Sequence, residues 1–328
     1  MRRRLPFLGT LLGVVAVILV AGAAPASATF PGPNGRIAYS DYMSGQIYAV
    51  NPDGSALRQL THTNSKHIAD HPSWSPNGAR ILFSKYRADK DFGENDSRIW
   101  IMNADGSNKR RVANDAKGFR DYTPKFTPNA AQIVFTRCKP HDGVCAIWRM
   151  RADGTHKRAL TRYIEPPKDE AVDFDLSISP NGKRIAYSRF FGGGLQARIF
   201  VMKLDGKNRH AVTPPYLEAA NPDWAPSGFR IAFENNGARS GSSLFTMKPD
   251  GSDIQRLTAD RFPQNDFQPS YSPQGNRVAF MSDRNYPDEC CVDLFSIRTD
   301  GIGEHMIDTA QSNPGLLWPD WGTAPLLP

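Results

Sequence analysis

The stretch Pro72-Ser-Trp-Ser-Pro-Asn-Gly-Ala-Arg-Ile-Leu-Phe-Ser84 decides the fold of this chain, because variants of it begin again at Pro124, Leu176, Pro222 and Pro269. Each copy predicts a short strand, a tight turn and a second strand. The proline of Ser-Pro-Asn-Gly fixes φ at the second turn position, and glycine suits the last position. The apolar run that follows is rich in β-branched and aromatic residues, which is typical of a buried strand.

An Asp-Gly pair follows each copy and predicts a second hairpin, since this dipeptide readily adopts the positive φ that a tight hairpin requires. Six such pairs begin at Asp53, Asp105, Asp153, Asp205, Asp250 and Asp300. They are 45 to 52 residues apart, a period that fits one four-stranded blade of a β-propeller. A single blade cannot bury both of its faces, so the blades must stack in a ring. The sequence therefore predicts an all-β, six-bladed β-propeller with four-stranded antiparallel blades.

The two ends of the chain are predicted to share the first blade. The chain enters this blade at Asn34-Gly-Arg-Ile-Ala-Tyr-Ser40, which matches the second strand of the repeat and leaves the inner strand missing. Pro319-Asp-Trp-Gly322, near the C-terminus, matches that missing inner strand. We therefore expect the C-terminal strand to complete blade 1 and close the ring, which removes two exposed sheet edges.

The combined pattern, x-Pro-x-Trp-Ser-Pro-Asn-Gly followed by Ile-Ala-Phe, Ile-x-x-Met, Asp-Gly and Leu-Thr, resembles the repeat of TolB-like propellers over residues 30–325. This resemblance implies the propeller fold. TolB itself carries a separate α/β domain before its propeller, whereas the repeats of this chain begin within a few residues of an apolar leader. The resemblance therefore concerns the propeller alone and does not imply a role in the Tol–Pal system.

Residues 1–28 have the features of a secretory signal peptide. Three arginines precede an apolar run, and Ala26-Ser-Ala28 provides a small-x-small cleavage site. We expect cleavage after Ala28, one propeller domain over residues 29–328, and a secreted or periplasmic location. An uncleaved leader would instead anchor a sensor ectodomain in the membrane. Loss of the three leader arginines lowers the net charge from +7 to +4, which is too weakly basic to indicate nucleic-acid binding.

Motifs that reveal an active site by their spacing are missing from the sequence. It contains no Gly-x-Ser-x-Gly, His-Glu-x-x-His, phosphate-binding glycine loop or Cys-x-x-Cys pair. We therefore favour a monomeric, non-catalytic scaffold without a cofactor, which binds a protein or peptide partner at the mouth of the central channel. The alternative is a polysaccharide lyase or hydrolase of the propeller type, whose active site would be assembled from scattered channel-mouth residues.

Candidate binding residues come from aligning the blades. The residue before the inner-strand proline, or its equivalent, is His71, Thr123, Asp175, Asn221, Gln268 or Trp318, and the acids Asp70, Asp121, Asp173 and Asp266 lie close by. We expect these positions in loops that enter the inner strands and converge at the channel mouth, where they can bind a peptide, a sugar or a cation. Alternatively, each aspartate caps backbone N–H groups of its own loop. No compact Asp-rich loop offers six oxygens for Ca²⁺, so no metal site is predicted.

The four cysteines fit an oxidising compartment. Cys138 ends the second strand of blade 3 and Cys145 begins the third, so we expect a disulfide between them. Cys290 and Cys291 are adjacent in the corresponding loop of blade 6. Because blades 3 and 6 lie opposite each other in a six-membered ring, the two pairs are too far apart to cross-link. We expect a vicinal disulfide in the second pair.

Two further patterns have a functional and a structural interpretation. Basic residues cluster on three consecutive blades, at Lys109-Arg-Arg111, Lys157-Arg158 and Lys207 with Arg209-His210. They form either a positive flank for an anionic envelope polymer or a solvated rim that protects the outer edges from pairing. The repeated aromatic position, occupied by Trp74, Phe126, Trp224, Tyr271 and Trp321, is predicted to pack between blades rather than to bind carbohydrate.

Overall fold

The computed structural model describes residues 30–87, 97–113, 118–139, 143–164, 171–192, 196–235, 241–261, 263–286, 291–307, 309 and 315–328. The expected leader, residues 1–28, lies outside the described residues, and so does Cys290. Signal cleavage and the vicinal disulfide therefore stay predictions. Across the described ranges, no helix has the length and apolar character needed to cross a membrane.

The strands form six four-stranded antiparallel sheets, which confirms the six-bladed propeller. From the channel outward, blade 1 contains β24 (Leu316–Trp321), β1 (Ile37–Asp41), β2 (Gln46–Val50) and β3 (Arg58–Gln59). Blade 2 contains β4 (His67–Trp74), β5 (Arg80–Arg87), β6 (Arg98–Asn103) and β7 (Arg110–Arg111). Blade 3 contains β8 (Arg120–Phe126), β9 (Gln132–Cys138), β10 (Cys145–Arg151) and β11 (Arg158–Ala159).

The second half of the ring repeats this order. Blade 4 contains β12 (Ala171–Ile178), β13 (Arg184–Phe191), β14 (Gln196–Lys203) and β15 (His210–Ala211). Blade 5 follows a 3₁₀ turn at Pro215–Leu217 and contains β16 (Ala219–Trp224), β17 (Ile231–Asn235), β18 (Ser243–Met247) and β19 (Gln255–Arg256). Blade 6 contains β20 (Asp266–Tyr271), β21 (Arg277–Ser282), β22 (Asp293–Arg298) and β23 (His305–Met306).

The C-terminal strand closes the ring as predicted. β24 pairs antiparallel with β1, with Trp321 opposite Ile37, and it packs between the inner strands of blades 6 and 2. The Trp321 indole Nε1 donates a hydrogen bond of 2.9 Å to the Gly35 carbonyl oxygen. Gly322 passes so close to Trp74 that an added Cβ would lie 2.3 Å from the indole. The last strand is therefore fitted tightly to both the start of the chain and blade 2.

The repeated aromatic position packs between blades, as predicted. Trp74, Phe126, Trp224, Tyr271 and Trp321 are all buried. Trp74, for example, belongs to a core cluster that joins Ile47 of blade 1 to Phe83 of blade 2. Burial of such large side chains is the main favourable contribution to stacking blade on blade.

The structure confirms the first disulfide, Cys138–Cys145, which links β9 to β10. The three basic clusters lie on the outer edge strands β7, β11 and β15 and in the turns before them, and most of their side chains are exposed. Their position fits a solvated rim that protects sheet edges, and binding of an anionic polymer there stays a prediction.

Candidate functional site

Six side chains surround one mouth of the central channel, one from each blade. We call them the mouth ring, and they are His71, Thr123, Asp175, Asn221, Gln268 and Trp318. Each has a positive φ between 43° and 56°. At each of these residues the inner strand shifts its register relative to the second strand of its blade. Such a bulge re-aims a side chain, and here it places all six against one cavity.

The mouth ring differs from the sequence prediction in one respect. His71, Asp175, Asn221 and Gln268 lie inside the inner strands, at the bulges, rather than in loops that precede them. Because the bulge belongs to the strand, the surrounding sheet holds these side chains in place. These side chains and the next residues of the inner strands line one cavity. The space in it that the centres of water molecules can occupy has a volume of about 70 Å³.

A second ring of side chains lies two residues further along each inner strand. We call it the girdle, and it consists of Ser73, Lys125, Ser177, Asp223, Ser270 and Asp320. Four members accept a hydrogen bond from the backbone N–H of the next blade: Ser177 from Trp224, Asp223 from Tyr271, Ser270 from Trp321 and Asp320 from Trp74, at 2.7–3.0 Å. The girdle therefore links neighbouring blades around the channel.

Lys125 is the only cation among the described residues that line the channel. It cannot accept a hydrogen bond, and its Nζ instead reaches across blade 2 to Oδ1 of Asp320 at 2.5 Å. Burial opposes its charge, but Asp320, Asp223 and Asp175 outweigh this effect and raise the pKa of Lys125. The ion pair connects the ring-closing strand β24 directly to blade 3.

Four of the predicted binding acids do not line the mouth cavity, and three of these pair with arginines. Asp121 forms a two-pronged ion pair with Arg137, and Asp173 forms one with Arg189, at 2.6–2.9 Å. Asp266 forms a single contact with Arg284 within blade 6, from Nη2 to Oδ1 at 2.5 Å. Each arginine also lies over aromatic rings of its own blade. These contacts give the three acids partners inside their own blades, and a bidentate guanidinium satisfies the carboxylates of Asp121 and Asp173.

Asp70 and His71 form a contact of their own beside the mouth. Oδ1 of Asp70 accepts hydrogen bonds from Ser40 Oγ and from the His71 backbone, and Oδ2 lies 3.1 Å from His71 Nδ1. Burial raises the pKa of Asp70, but the contacts with His71 and Ser40 outweigh it and lower the pKa overall. The His71 ring stacks on Trp318, with ring centroids 4.2 Å apart. Stacking on Trp318 therefore places the imidazole in the wall of the cavity, with the Asp70 carboxylate beside it.

The remaining acids of the channel are held in unfavourable surroundings. Burial, then the charges of Glu234 and Asp70, raise the pKa of Asp175 well above its usual value, against the opposing effect of Lys125. Burial also raises the pKa of Asp223 to about 6, partly offset by Lys125. Glu234 accepts a hydrogen bond of 2.6 Å from the Gln268 backbone N–H, yet burial raises its pKa to about 7. Negative charge is therefore costly here in the absence of a bound cation.

Replacement of Glu234 by glutamine is expected to stabilise the protein at pH 8. The carboxyl binds its proton with a pKa of about 7 in the folded protein, against an ordinary value of 4.5. The folded state thus loses stability as pH rises from about 4.5 to 7, by about 3 kcal/mol for a shift of this size. The uncharged Glu234→Gln variant should avoid this loss, and its advantage in urea denaturation should disappear near pH 5.

The control is Glu218→Gln, on the half-buried turn before β16 and outside the channel lining. It should leave the pH dependence of stability unchanged. A Glu234→Gln variant that shows the same stability difference from the wild type at pH 5 and pH 8 would contradict the assignment.

Four channel residues were not among those predicted from the sequence: Lys125, Asp223, Asp320 and Glu234. A signal was present, because the repeat places Ser or Thr at the Glu234 position in four of the other five blades: Ser40, Ser84, Thr136 and Ser188. An acid at a position otherwise occupied by small hydroxyls marks a departure from the repeat. Across the described ranges, no three His, Cys, Asp or Glu side chains are grouped closely enough to hold a metal ion.

The chain is similar to known propeller proteins. A family model described as the TolB beta propeller domain matches residues 170–288. The Tol-Pal system protein TolB of Francisella tularensis subsp. mediasiatica is 25% identical over 284 residues, which cover 84% of this chain and 60% of that protein. The dipeptidyl-peptidase 5 of Porphyromonas endodontalis is 30% identical over 118 residues, or 35% of this chain and 17% of that enzyme. The chain thus spans less than two thirds of both curated relatives.

Among solved structures, TolB from Acinetobacter baumannii superimposes with a TM-score of 0.65 at 17% identity. The match covers 88% of this chain and 66% of that structure. At this level of identity, the similarity concerns the fold.

Proposed function

Because this chain is a TolB-like six-bladed β-propeller, we propose that it is an exported, non-catalytic scaffold that binds a protein or peptide partner around the channel mouth. The relevant surface is the mouth face, which we define as the face where the inner strands begin and where the second and third strands of each blade are joined. One relative is named as a component of a Tol-Pal system, which favours a protein as the partner.

The observation that carries this proposal is the combination of a polar cavity and exposed apolar side chains on the mouth face. Tyr42 and Met43, in the loop between β1 and β2, are 65% and 59% exposed, and Tyr216, in the turn before β16, is 84% exposed. Tyrosine and methionine are enriched in protein interfaces. A partner that covers these side chains would also cover the mouth ring.

Site-specific cross-linking tests the proposed surface. A photoreactive phenylalanine analogue at position 216 is expected to yield one discrete protein adduct in cells that export the chain, because this position lies on the mouth face. Position 229 provides a matched control: Phe229 is 76% exposed, but it follows the inner strand β16 and therefore lies on the opposite face. No adduct at position 216, or equal adducts at both positions, would contradict the proposal.

A catalytic function is the second candidate, and one observation favours it. His71 Nδ1 lies 3.1 Å from the Asp70 carboxylate, and neither ring nitrogen has a hydrogen bond of good geometry among the described residues. An imidazole oriented by a carboxylate is the arrangement of a general base. Turnover of a glycan or peptide by the purified protein that is lost in His71→Ala, without a cross-linked partner, would establish the enzyme instead.

A further inference from the structure

The channel carries more negative than positive charge. Asp70, Asp175, Asp223, Glu234 and Asp320 lie in or beside the mouth ring and the girdle, and Lys125 is the one lysine or arginine among the described residues that line the channel. The net charge is −4 when these five carboxyls and the lysine are ionised. A site of this charge favours a cationic ligand over a neutral or anionic one.

One carboxylate oxygen faces this space without a partner. Asp175 is 9% exposed and lines the mouth cavity, and its Oδ1 has no hydrogen-bond partner within the described ranges. The other channel acids accept hydrogen bonds from the protein: Asp223 from Tyr271, Asp320 from Trp74, Glu234 from Gln268 and Asp70 from Ser40. A buried acceptor left unsatisfied is costly unless a ligand or water supplies the donor. Asp175 is therefore the natural acceptor for a bound group.

Two aromatic residues of other blades, His71 and Trp318, line the same cavity as Asp175. Trp318 and His71 stack within the mouth ring, and Phe174 and Tyr122 contact His71 and each other, with centroid distances of 5.9–6.2 Å. Faces of aromatic rings attract cations, most strongly when water is excluded. An organic cation can contact both the carboxylate and the aromatic rings. A hydrated inorganic cation interacts only weakly with the rings, because its water shell separates it from them.

The size of the cavity limits the ligand further. At about 70 Å³, and with about 10–15 Å³ needed for each water, it has room for about five waters. A methylene chain ending in an ammonium group fits a space of this order. The cavity thus suits one end of a longer molecule, whose remainder would lie over the mouth face.

We propose that the mouth ring binds one primary ammonium group of the partner, with Asp175 as its acceptor and Trp318 and His71 as its aromatic wall. This inference rests on the proposed function, since the ammonium is presented by a protein or peptide, on a lysine side chain or at the amino terminus. The unsatisfied Asp175 oxygen can take one of the three ammonium donors. Asn221 and Gln268 also line the cavity, where an amide oxygen can accept a further donor, although Gln268 Oε1 already accepts a hydrogen bond of 2.8 Å from the Trp318 backbone N–H.

Calorimetric titration of the intact protein with small model ligands tests the site without the partner. Nα-acetyl-lysine methylamide is expected to bind at pH 8, whereas its uncharged norleucine counterpart should bind at least tenfold more weakly. Alanine methylamide, which carries an α-ammonium, distinguishes an amino terminus from a side chain as the source. Binding of the lysine compound should weaken as pH falls from 8 to 6, because Glu234, with a pKa of about 7, takes up a proton in this range. The raised pKa of Asp175 acts in the same direction. The other charged or titratable groups beside Asp175 are Asp70, His71 and Lys125.

Two variants make the test specific. Asp175→Asn should weaken binding of the lysine compound at least tenfold while keeping a cooperative thermal transition. Asp205→Asn changes an exposed aspartate of the same blade in its Asp-Gly turn on the opposite face, and it should bind like the wild type.

The inference would be overturned by equal affinity for the lysine and norleucine compounds, or by an Asp175→Asn variant that binds like the wild type. Tighter binding of Nα-acetyl-arginine methylamide or of Ca²⁺ than of the lysine compound would also overturn it. If no amine binds but position 216 still cross-links a partner, the ammonium site is wrong and the partner-binding surface stands. If amines bind and no partner is cross-linked, the proposed function fails and the site remains.

Discussion

Deletion of residues 318–328 is expected to abolish the cooperative thermal unfolding of the protein. The deletion removes most of β24 and leaves the inner edge of β1 without its partner. It also removes Trp321, whose buried side chain alone contributes about 3–5 kcal/mol by comparison with other buried tryptophans, and the Asp320–Lys125 ion pair. Since a whole domain is stable by only about 5–15 kcal/mol, the sum of these losses should leave no stable ring.

Circular dichroism during heating and limited proteolysis measure this effect. A shorter deletion, residues 326–328, provides the control. It removes the two hydrogen bonds between Leu327 and Asn51 and should cost only about 1–3 kcal/mol, with the cooperative transition preserved. A protein lacking residues 318–328 that melts like the intact one would show that the ring does not depend on its C-terminal strand.

Substitution of Lys125 by methionine is expected to lower the free energy of unfolding by about 2–3 kcal/mol at pH 8. This lies between the values for exposed and for fully buried ion pairs, because the two side chains are 28% and 17% exposed. Asp320 would then lose its ion pair, and Asp223 would lose the charge that offsets its burial. The loss should shrink as pH falls towards 5, because the pKa of Asp223 is already about 6 and protonation removes the unpaired charge. Urea denaturation at the two pH values measures both effects.

The double variant Lys125→Met with Asp320→Asn separates the ion pair from simple packing. It removes both charges, so it should recover a substantial part of the stability lost in the single Lys125→Met variant. A double variant that is no more stable than Lys125→Met would mean that the lysine side chain acts through its volume and not through its charge.

The fold could be predicted from the sequence because its signals are local and repeated. The turn chemistry of Ser75-Pro-Asn-Gly78 and the spacing of the Asp-Gly pairs follow from backbone preferences within a few residues, and six copies reinforce one another. Closure by Pro319-Asp-Trp321 was predictable for the same reason, since an incomplete repeat at one end matched a fragment at the other. The Cys138–Cys145 disulfide likewise followed from their places on paired strands.

The channel chemistry depends on contacts between residues far apart in the chain. Asp121 pairs with Arg137 on the neighbouring strand, and Lys125 pairs with Asp320 at the opposite end of the sequence. The blade alignment made Asp173 and Asp175 both candidates, but the bulge at Asp175 turns its side chain towards the cavity, while Asp173 pairs with Arg189 within its own blade.

The amino-acid sequence thus determines the number of blades, their order and the closure of the ring, because these depend on local turn geometry and on the period of the repeat. Only the tertiary structure decides which acids are paired, which are buried and which face the cavity. A bulge of one residue reverses the direction of a side chain, and the charge that stabilises a buried acid comes from another blade.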